Sequence, residues 1–296
     1  MEKVSYAIIV GLFKLLSLFP LAWLRRFGSV IGTLAWRLNT RGRRVTEQNI
    51  AICFPSMAVE QRTALAKRSL RQLGMMAMEL GYVWCRPPQQ VLSTIAEVHG
   101  RPIIEAALAE GKGVVVLAPH IGNWEVIGLY LAHHFTITTM FQPPDNPAVH
   151  TMIYNARRRN GSKLAPTSIA GVKTLLKALK RGELVGVLPD QVPPPESGEF
   201  APFFGIPALT ATMTFNLLRR TGAKAVVAYA KRIPASGDFH MIFEAAPPAL
   251  YADDPVTSLT ALNQSVENCV CSAPEQYQWE YKRFKKQPDN EKKYYQ

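Results

Sequence analysis

Residues 113–125 read Gly-Val-Val-Val-Leu-Ala-Pro-His-Ile-Gly-Asn-Trp-Glu, and this stretch decides the fold. The apolar, β-branched run at 114–117 predicts a buried strand, and the glycine at 122 predicts a turn, because glycine adopts backbone angles that other residues avoid. Asn123 is a favourable N-cap for a helix that begins at Trp124. The stretch therefore predicts a strand, a turn and a helix in succession, with His120 at the end of the strand.

The spacing of His120 and Glu125 suggests acid/base chemistry. On one unbroken helix the two side chains would point about 140° apart, but a turn at Gly122 removes that restriction. We expect the Glu125 carboxylate to accept the imidazole N–H and to stabilise the imidazolium that forms when His120 takes up a proton. The alternative interpretation is that His120 is a structural residue at a strand end.

The chain beyond residue 111 alternates short apolar runs with segments of helical periodicity. This pattern predicts an α/β fold with a mixed, largely parallel sheet flanked by helices. The predicted strands are 114–117, 136–141, 184–188 and 225–230, with a weaker one at 241–243. The predicted helices are 124–133, 148–159, 169–180 and 210–220, preceded by two helices at 59–73 and 75–84.

A second strand end also carries polar side chains. Asp190 and Gln191 directly follow the apolar run 184–188, and ligands of parallel sheets gather at the carboxyl ends of strands. The proline- and glycine-rich residues 193–198 and the apolar segment 201–207 come next, either as a loop that closes over an acyl chain or as ordinary loop and core. Arg157, Arg158 and Arg159 form a basic cluster, which either binds phosphate groups or is a solvated helix face.

The first 45 residues have a different character from the rest. Residues 4–24 are almost all apolar apart from Lys14 and Pro20, and six arginines follow within twenty residues. A central lysine costs a spanning helix about 3 kcal/mol, so the segment either crosses the bilayer, lies in its interface or is a buried core helix. We expect residues 1–45 to be a membrane-anchoring helix with a basic flank, residues 46–296 to be the catalytic domain, and the arginines to keep that domain cytoplasmic.

The charge balance points to an acidic partner. The net charge of +12 suits nucleic acid, an anionic membrane, or an acidic protein or phosphorylated substrate. Nucleic acid is the weakest of these, because the arginines follow an apolar segment and lack interleaved aromatic residues. The sequence has no Gly-x-Gly-x-x-Gly, Walker-type or His-Glu-x-x-His motif, so neither a nucleotide cofactor nor a metal is expected. It also lacks a Gly-x-Ser-x-Gly elbow, which favours direct transfer to an acceptor hydroxyl.

Several blocks taken in order resemble the bacterial lipid A biosynthesis acyltransferase family, within the lysophospholipid acyltransferase-like superfamily, over nearly the whole chain. They are His-Ile-Gly-Asn-Trp-Glu at 120–125, Leu-Ala-Pro-Thr at 164–167, Leu-Pro-Asp-Gln at 188–191, Ala-Pro-Phe-Phe-Gly at 201–205 and Ala-Pro-Glu-Gln-Tyr-Gln-Trp-Glu-Tyr-Lys-Arg-Phe at 273–284. The spacing of His120 and an acidic residue is shared with the broader glycerolipid acyltransferases. The ordered set is more specific.

The resemblance implies an inner-membrane enzyme with its catalytic domain on the cytoplasmic face. It would transfer a fatty acyl group from acyl carrier protein to a hydroxyl of an acyl chain on a Kdo-bearing lipid A precursor, without a cofactor. Acyl carrier protein, the phosphorylated acceptor and anionic membrane lipids all suit the positive charge.

By the same resemblance, His120 would be the general base and Glu125 its partner. The residues expected to bind substrate are Asn123, Arg158, Arg159 and Asp190, with Arg157 as an alternative for the family arginine. An acyltransferase for another lipid acceptor, a thioesterase or lipase, and a basic membrane-binding protein are the competing interpretations.

Overall fold

The computed structural model describes residues 2–144, 146–159, 161–233, 236–288 and 294–295. Its strands are β1 (Ile95–His99), β2 (Val114–Leu117), β3 (Ile137–Phe141), β4 (Lys163–Pro166), β5 (Leu184–Val187), β6 (Gly198–Phe203), β7 (Ile206–Ala211), β8 (Lys224–Arg232) and β9 (Phe239–Ala245). Its helices are α1 (Glu2–Ser17), α2 (Leu21–Arg37), α3 (Arg41–Cys53), α4 (Val59–Cys85), α5 (Pro88–Leu92), α6 (Arg101–Ala109), α7 (Trp124–His134), α8 (Pro147–Arg159), α9 (Ile169–Lys180), α10 (Met213–Thr221) and α11 (Pro255–Ser272).

Seven strands form one sheet in the order β1-β9-β8-β2-β5-β3-β4. The five strands from β8 to β4 are parallel, β9 is antiparallel to β8, and β1 is parallel to β9. Every residue of β2 and β5 is buried, as expected for central strands covered by helices on both faces. The predicted mixed, largely parallel α/β fold is therefore confirmed.

Two element boundaries differ from the sequence prediction. Residues 59–85 form one continuous helix, α4, so the predicted break before residue 75 is wrong. Gly74 lies against α2, where a Cβ would collide with the carbonyl oxygen of Gly28, so this glycine permits close helix packing rather than ending a helix. The helix predicted from residue 210 is also wrong at its start, because Thr210 lies in β7 and α10 begins at Met213.

The N-terminal segment is not a single helix. Helix α1 ends at Ser17, and α2 begins after Pro20. Within the described residues, no helix combines the length and the apolar character needed to cross a membrane, so the predicted spanning helix is without support. Large apolar side chains of α1 such as Leu12 and Leu15 are exposed, which also contradicts the core-helix alternative. The proposed domain boundary after residue 45 falls inside α3 and stays a prediction.

Helix α2 has two contrasting sides. One side carries Gly28 and Gly32, where added Cβ atoms would collide with the backbone of α4, so the two helices cross in close contact. The opposite side carries the large apolar residues Trp23, Phe27 and Val30, all of which are exposed.

The apolar segment after residue 200 belongs to a hairpin. Strands β6 and β7 pair antiparallel, and Phe203 is buried against Tyr277 and Phe284 of the C-terminal segment. Of the two interpretations of residues 201–207, the structure supports ordinary core. Two apolar cores lie on opposite faces of the sheet, and the hairpin contributes to the one that contains Trp279.

Candidate functional site

His120 and Asp190 meet at the carboxyl edge of the sheet. Strands β2 and β5 are neighbours in register, with Leu117 opposite Val187, and each polar residue lies three positions beyond these. Nδ1 of His120 lies 2.8 Å from Oδ1 of Asp190, and the His120 backbone N–H donates to Oδ2 at 2.9 Å. The fold thus brings together the two strand ends that the sequence predicts to carry polar side chains.

The surroundings of Asp190 keep its carboxyl ionised. Burial by itself raises its pKa, but the charge of His120 and the two hydrogen bonds from His120 outweigh burial, and the pKa is lowered overall. When the imidazole is neutral, the ionised carboxylate accepts its Nδ1–H, and the ring lone pair is then on Nε2. That Nε2 lies 3.3 Å from the side-chain nitrogen of Gln191. The pair therefore holds His120 in the tautomer that can accept a proton at Nε2.

The turn between strand and helix forms as the sequence predicts. Gly122 has φ 63°, and a Cβ there would collide with the carbonyl oxygen of Ala230. Asn123 caps α7, its side-chain oxygen accepting from the backbone N–H groups of Glu125 and Val126 at 3.2 Å each. Glycine at 122 and asparagine at 123 therefore place Glu125 in the first turn of the helix.

The prediction of a hydrogen bond between His120 and Glu125 is wrong. His120 faces β5 and its Asp190, whereas Glu125 in the first turn of α7 faces α4 and α8. The Glu125 carboxylate accepts from the indole N–H of Trp84 at 3.1 Å and from Arg157 through Nε at 3.2 Å and Nη2 at 2.5 Å. Each carboxylate of the site thus has its own cationic or imidazole partner.

The structure brings Arg157 to the site rather than its two neighbours. The charge of Glu125 and its hydrogen bonds outweigh the effect of burial and raise the Arg157 pKa overall, so the guanidinium keeps its positive charge. Arg158 lies over the ring of Tyr154, and Arg159 donates to the backbone carbonyl of Arg86 at 2.7 Å. Helical spacing explains the difference, because adjacent residues of α8 point to different sides.

An apolar pocket opens beside this ion pair, between α4, α7 and the sheet. Its lining is mainly aliphatic and aromatic, and Glu125 and Arg157 are the charged residues that the described part of the chain contributes to it. Trp124 lines the pocket and also packs edge-on against His120, with ring centroids 5.0 Å apart. Trp124 therefore contacts both the imidazole and a cavity suited to an apolar ligand.

Comparison with known proteins shows the family of this chain. Residues 1–286 match the family described as bacterial lipid A biosynthesis acyltransferase. The chain belongs to this family. It is 30% identical to the lipid A biosynthesis lauroyltransferase of Escherichia coli K12 over 95% of its own length and 91% of the relative's. It is 28% identical to the palmitoleoyltransferase of that organism, over 90% of this chain and 87% of the relative. The predicted family and the acyltransferase class are confirmed.

Sequence reasoning missed a buried ionic cluster beneath the turn of this acyltransferase. Glu79 of α4 accepts from Arg25 Nε at 2.6 Å and from Arg232 Nε at 2.8 Å. Burial raises the pKa of Glu79, but the charges and hydrogen bonds of Arg232 and Arg25 outweigh it and lower the pKa overall. No spacing could reveal the cluster, because its members lie in α2, α4 and β8.

This cluster supports the backbone between His120 and α7. Arg232 donates to the carbonyl of Gly122 at 3.0 Å, and the side-chain amide of Asn123 donates to Glu79 at 2.8 Å. The Asn123 side chain, which the sequence suggested as a substrate ligand, is buried, with both ends bonded inside the acyltransferase. Its evident contribution is to hold the turn.

Proposed function

We propose that this acyltransferase moves a fatty acyl group from acyl carrier protein to a hydroxyl of an acyl chain on a Kdo-bearing lipid A precursor. The observation that carries the proposal is the His120–Asp190 pair beside an apolar pocket whose charged groups are Glu125 and Arg157. A base, a fixed positive charge and a cavity for hydrocarbon are the groups that acyl transfer between two lipid-like substrates requires.

In the proposed reaction His120 is the general base. Its Nε2 removes the proton of the acceptor hydroxyl while that oxygen attacks the thioester carbonyl carbon. The new C–O bond forms, the C–S bond breaks, and the thiol leaves with the proton that His120 carried. Asp190 stabilises the imidazolium between these events, as its two hydrogen bonds to His120 suit it to do.

Arg157 supplies the positive charge for the oxyanion that develops on the thioester carbonyl. Glu125 acts through Arg157, because its carboxylate is hydrogen-bonded to that guanidinium and not to the imidazole. The exposed Arg158 and Arg159, together with the net charge of +12, suit the phosphates of the acceptor and the acidic carrier protein.

The apolar sides of α1 and α2 suit an interfacial membrane position. Ten of the sixteen exposed large apolar side chains in the described part of the chain lie within residues 8–38. On α2 they recur at 23, 27, 30 and 34, which is one helix stripe, and Leu38 follows directly after the helix. Such a stripe buries itself in the headgroup region without crossing the bilayer. We place the enzyme on the cytoplasmic face of the inner membrane in this way.

Exposed cations also occur on α1, α2 and α3. They are Lys14, Arg26, Arg37, Arg41 and Arg44. Each basic group next to an amphipathic helix strengthens the free energy of binding to an anionic membrane by about 1 kcal/mol. Anionic inner-membrane lipids therefore strengthen the proposed docking and bring the pocket close to lipid substrates.

Mass spectrometry of the products tests the proposal directly. The full chain in mixed micelles is given acylated carrier protein and a Kdo-bearing lipid A precursor, and the acceptor mass is followed. We expect the acceptor to gain one acyl mass, and His120→Ala to lower the rate at least about 100-fold. His133→Ala, an exposed histidine at the other end of α7, is the matched control and should retain the wild-type rate.

Two outcomes would contradict this proposal. Free fatty acid without any gain in acceptor mass would indicate a thioesterase, with water as acceptor. A wild-type rate in folded His120→Ala would show that His120 is not the general base.

A further inference from the structure

Three side chains at the β1–β9 edge of the sheet converge on one point. The imidazole Nε2 of His99 lies 2.9 Å from Glu97 Oε2 and 3.4 Å from His240 Nδ1, and His240 Nδ1 lies 3.7 Å from the same carboxylate oxygen. From these contacts we propose that Glu97, His99 and His240 form a binding site for a divalent transition-metal ion of the zinc type.

Backbone register explains the convergence independently of the side-chain positions. Glu97 and His99 are two residues apart on β1, so both point to the same face of the sheet. Glu97 is the register partner of His240 on the parallel strand β9. Three potential ligands therefore share one face of two paired strands, and the strands fix their mutual distances.

The distances match those of a metal site. A tetrahedral zinc ion with ligand bonds of 2.0–2.1 Å separates its ligand atoms by about 3.3 Å. The three observed separations, 2.9, 3.4 and 3.7 Å, lie on either side of this value. An ion slightly above the plane of the three atoms would therefore reach all of them without a change of strand position.

The donor set favours a borderline ion over a hard one. Two imidazole nitrogens and one carboxylate suit zinc and its first-row neighbours, whereas Ca²⁺ and Mg²⁺ prefer oxygen ligands alone. Both the His99 and the Glu97 side chains are more than half exposed, so water has access to a fourth position. Lys231 on β8 is the register partner of His240. Its ammonium N–H donates to the carbonyl oxygen of Ser272 at 2.9 Å.

A bound ion would fasten the edge of the sheet. Among the described residues, strand β1 pairs with β9 alone, and the proposed ligands come from both strands. Binding to the folded chain and not to the unfolded chain stabilises the fold by mass action. The site is thus a structural one, separate from the His120–Asp190 pair.

Zinc titration of the full, tag-free chain tests the site. After treatment with a chelator, the protein competes with a chromophoric chelator for Zn²⁺, and its melting temperature is followed in parallel. We expect one ion per chain and a rise in melting temperature with zinc concentration. The double variant His99→Ala/His240→Ala should bind zinc at least about 100-fold more weakly and lose the rise.

The matched control is His133→Ala/His134→Ala, which removes two other neighbouring histidines. It should bind zinc like the wild type. The absence of zinc binding in the wild type, unchanged binding in folded His99→Ala/His240→Ala, or an equal loss in the control would each overturn the proposal and leave a hydrogen-bonded cluster only.

Discussion

The carboxylate of Asp190 accepts two N–H groups from the same residue, His120, one from the backbone and one from Nδ1. Each of the two N–H groups needs its own acceptor atom, and the two carboxylate oxygens of Asp190 accept one hydrogen bond each. The pair therefore fixes the position of the strand end and the tautomer of the imidazole together.

Replacing Asp190 by asparagine tests this relationship. An amide offers one oxygen, so either the backbone N–H of His120 faces an NH₂ group or the Nδ1 does, which would place the proton on Nε2. We expect kcat to fall about 100- to 10,000-fold, with a melting temperature that shows a folded protein. Wild-type turnover by folded Asp190→Asn would show that the pair is not used in catalysis.

Glu125 and Arg157 are expected to act as one unit. Glu125→Gln leaves the guanidinium with a weaker partner and should lower kcat about 100-fold. Because Glu125 is hydrogen-bonded to Trp84 and Arg157, and among the described residues not to His120, the pH profile of the remaining activity should keep its shape, in contrast to that of Asp190→Asn. The double variant Glu125→Gln/Arg157→Ala should be no slower than Arg157→Ala alone. Additive losses would indicate separate roles.

The sequence was sufficient for the parts of the site that depend on local structure. The strand at 114–117, the positive φ of Gly122 and the cap at Asn123 follow from neighbouring residues, and all three are confirmed. The partner of His120 was not accessible in this way. Asp190 is seventy residues away, and its contact depends on β2 and β5 being in-register neighbours.

Long-range packing also explains the errors in the fold. Gly74 would end or weaken an isolated helix, but its contact with Gly28 gives it a packing role inside α4. The proline- and glycine-rich character of residues 193–207 hid the β6–β7 hairpin, which forms because Phe203 is buried against the C-terminal segment. In both cases a distant segment decides the local structure.

Gly128 is expected to influence the acyl-chain length. It lines the apolar pocket one turn beyond Trp124 and Glu125, and a Cβ there would meet no atom within 4 Å. In Gly128→Met the new side chain should enter this space, and each excluded methylene costs about 1 kcal/mol. We expect competition between acyl donors to favour chains shorter by about two to four carbons. Gly128→Ala is the control, and its small side chain should change the chain-length preference little. An unchanged preference in Gly128→Met would show that the acyl chain does not bind in this pocket.

The stripe on α2 is expected to control membrane binding. Trp23 and Phe27 are 63% and 58% exposed, and replacing both by serine removes about 3 kcal/mol of apolar burial in the interface, or roughly 100-fold in partitioning. Flotation with vesicles that contain anionic lipid measures the change. Ile169→Ser, at a 79% exposed position on α9, should leave partitioning unchanged. Equal binding of all three proteins would contradict the proposed orientation.

Glu79 is expected to contribute to stability through its two arginines. Glu79→Gln leaves Arg25 and Arg232 buried without a full counter-charge, which costs about 3–5 kcal/mol of unfolding free energy. The control Glu47→Gln, which breaks a partly exposed pair with Arg43, should cost less than about 1 kcal/mol. Urea denaturation in detergent measures both.

The pH dependence of the unfolding free energy separates the charge of Glu79 from its packing. The folded-state pKa of Glu79 is lowered, so its stabilisation is complete above the unfolded pKa of about 4.3 and is lost as the pH falls through the folded value. In that acid range the unfolding free energy of the wild type should fall more steeply with decreasing pH than that of Glu79→Gln. The two slopes should differ by at most the contribution of one bound proton. Parallel curves for the two proteins would mean that Glu79 stabilises the fold through shape and neutral hydrogen bonds, and not through its charge.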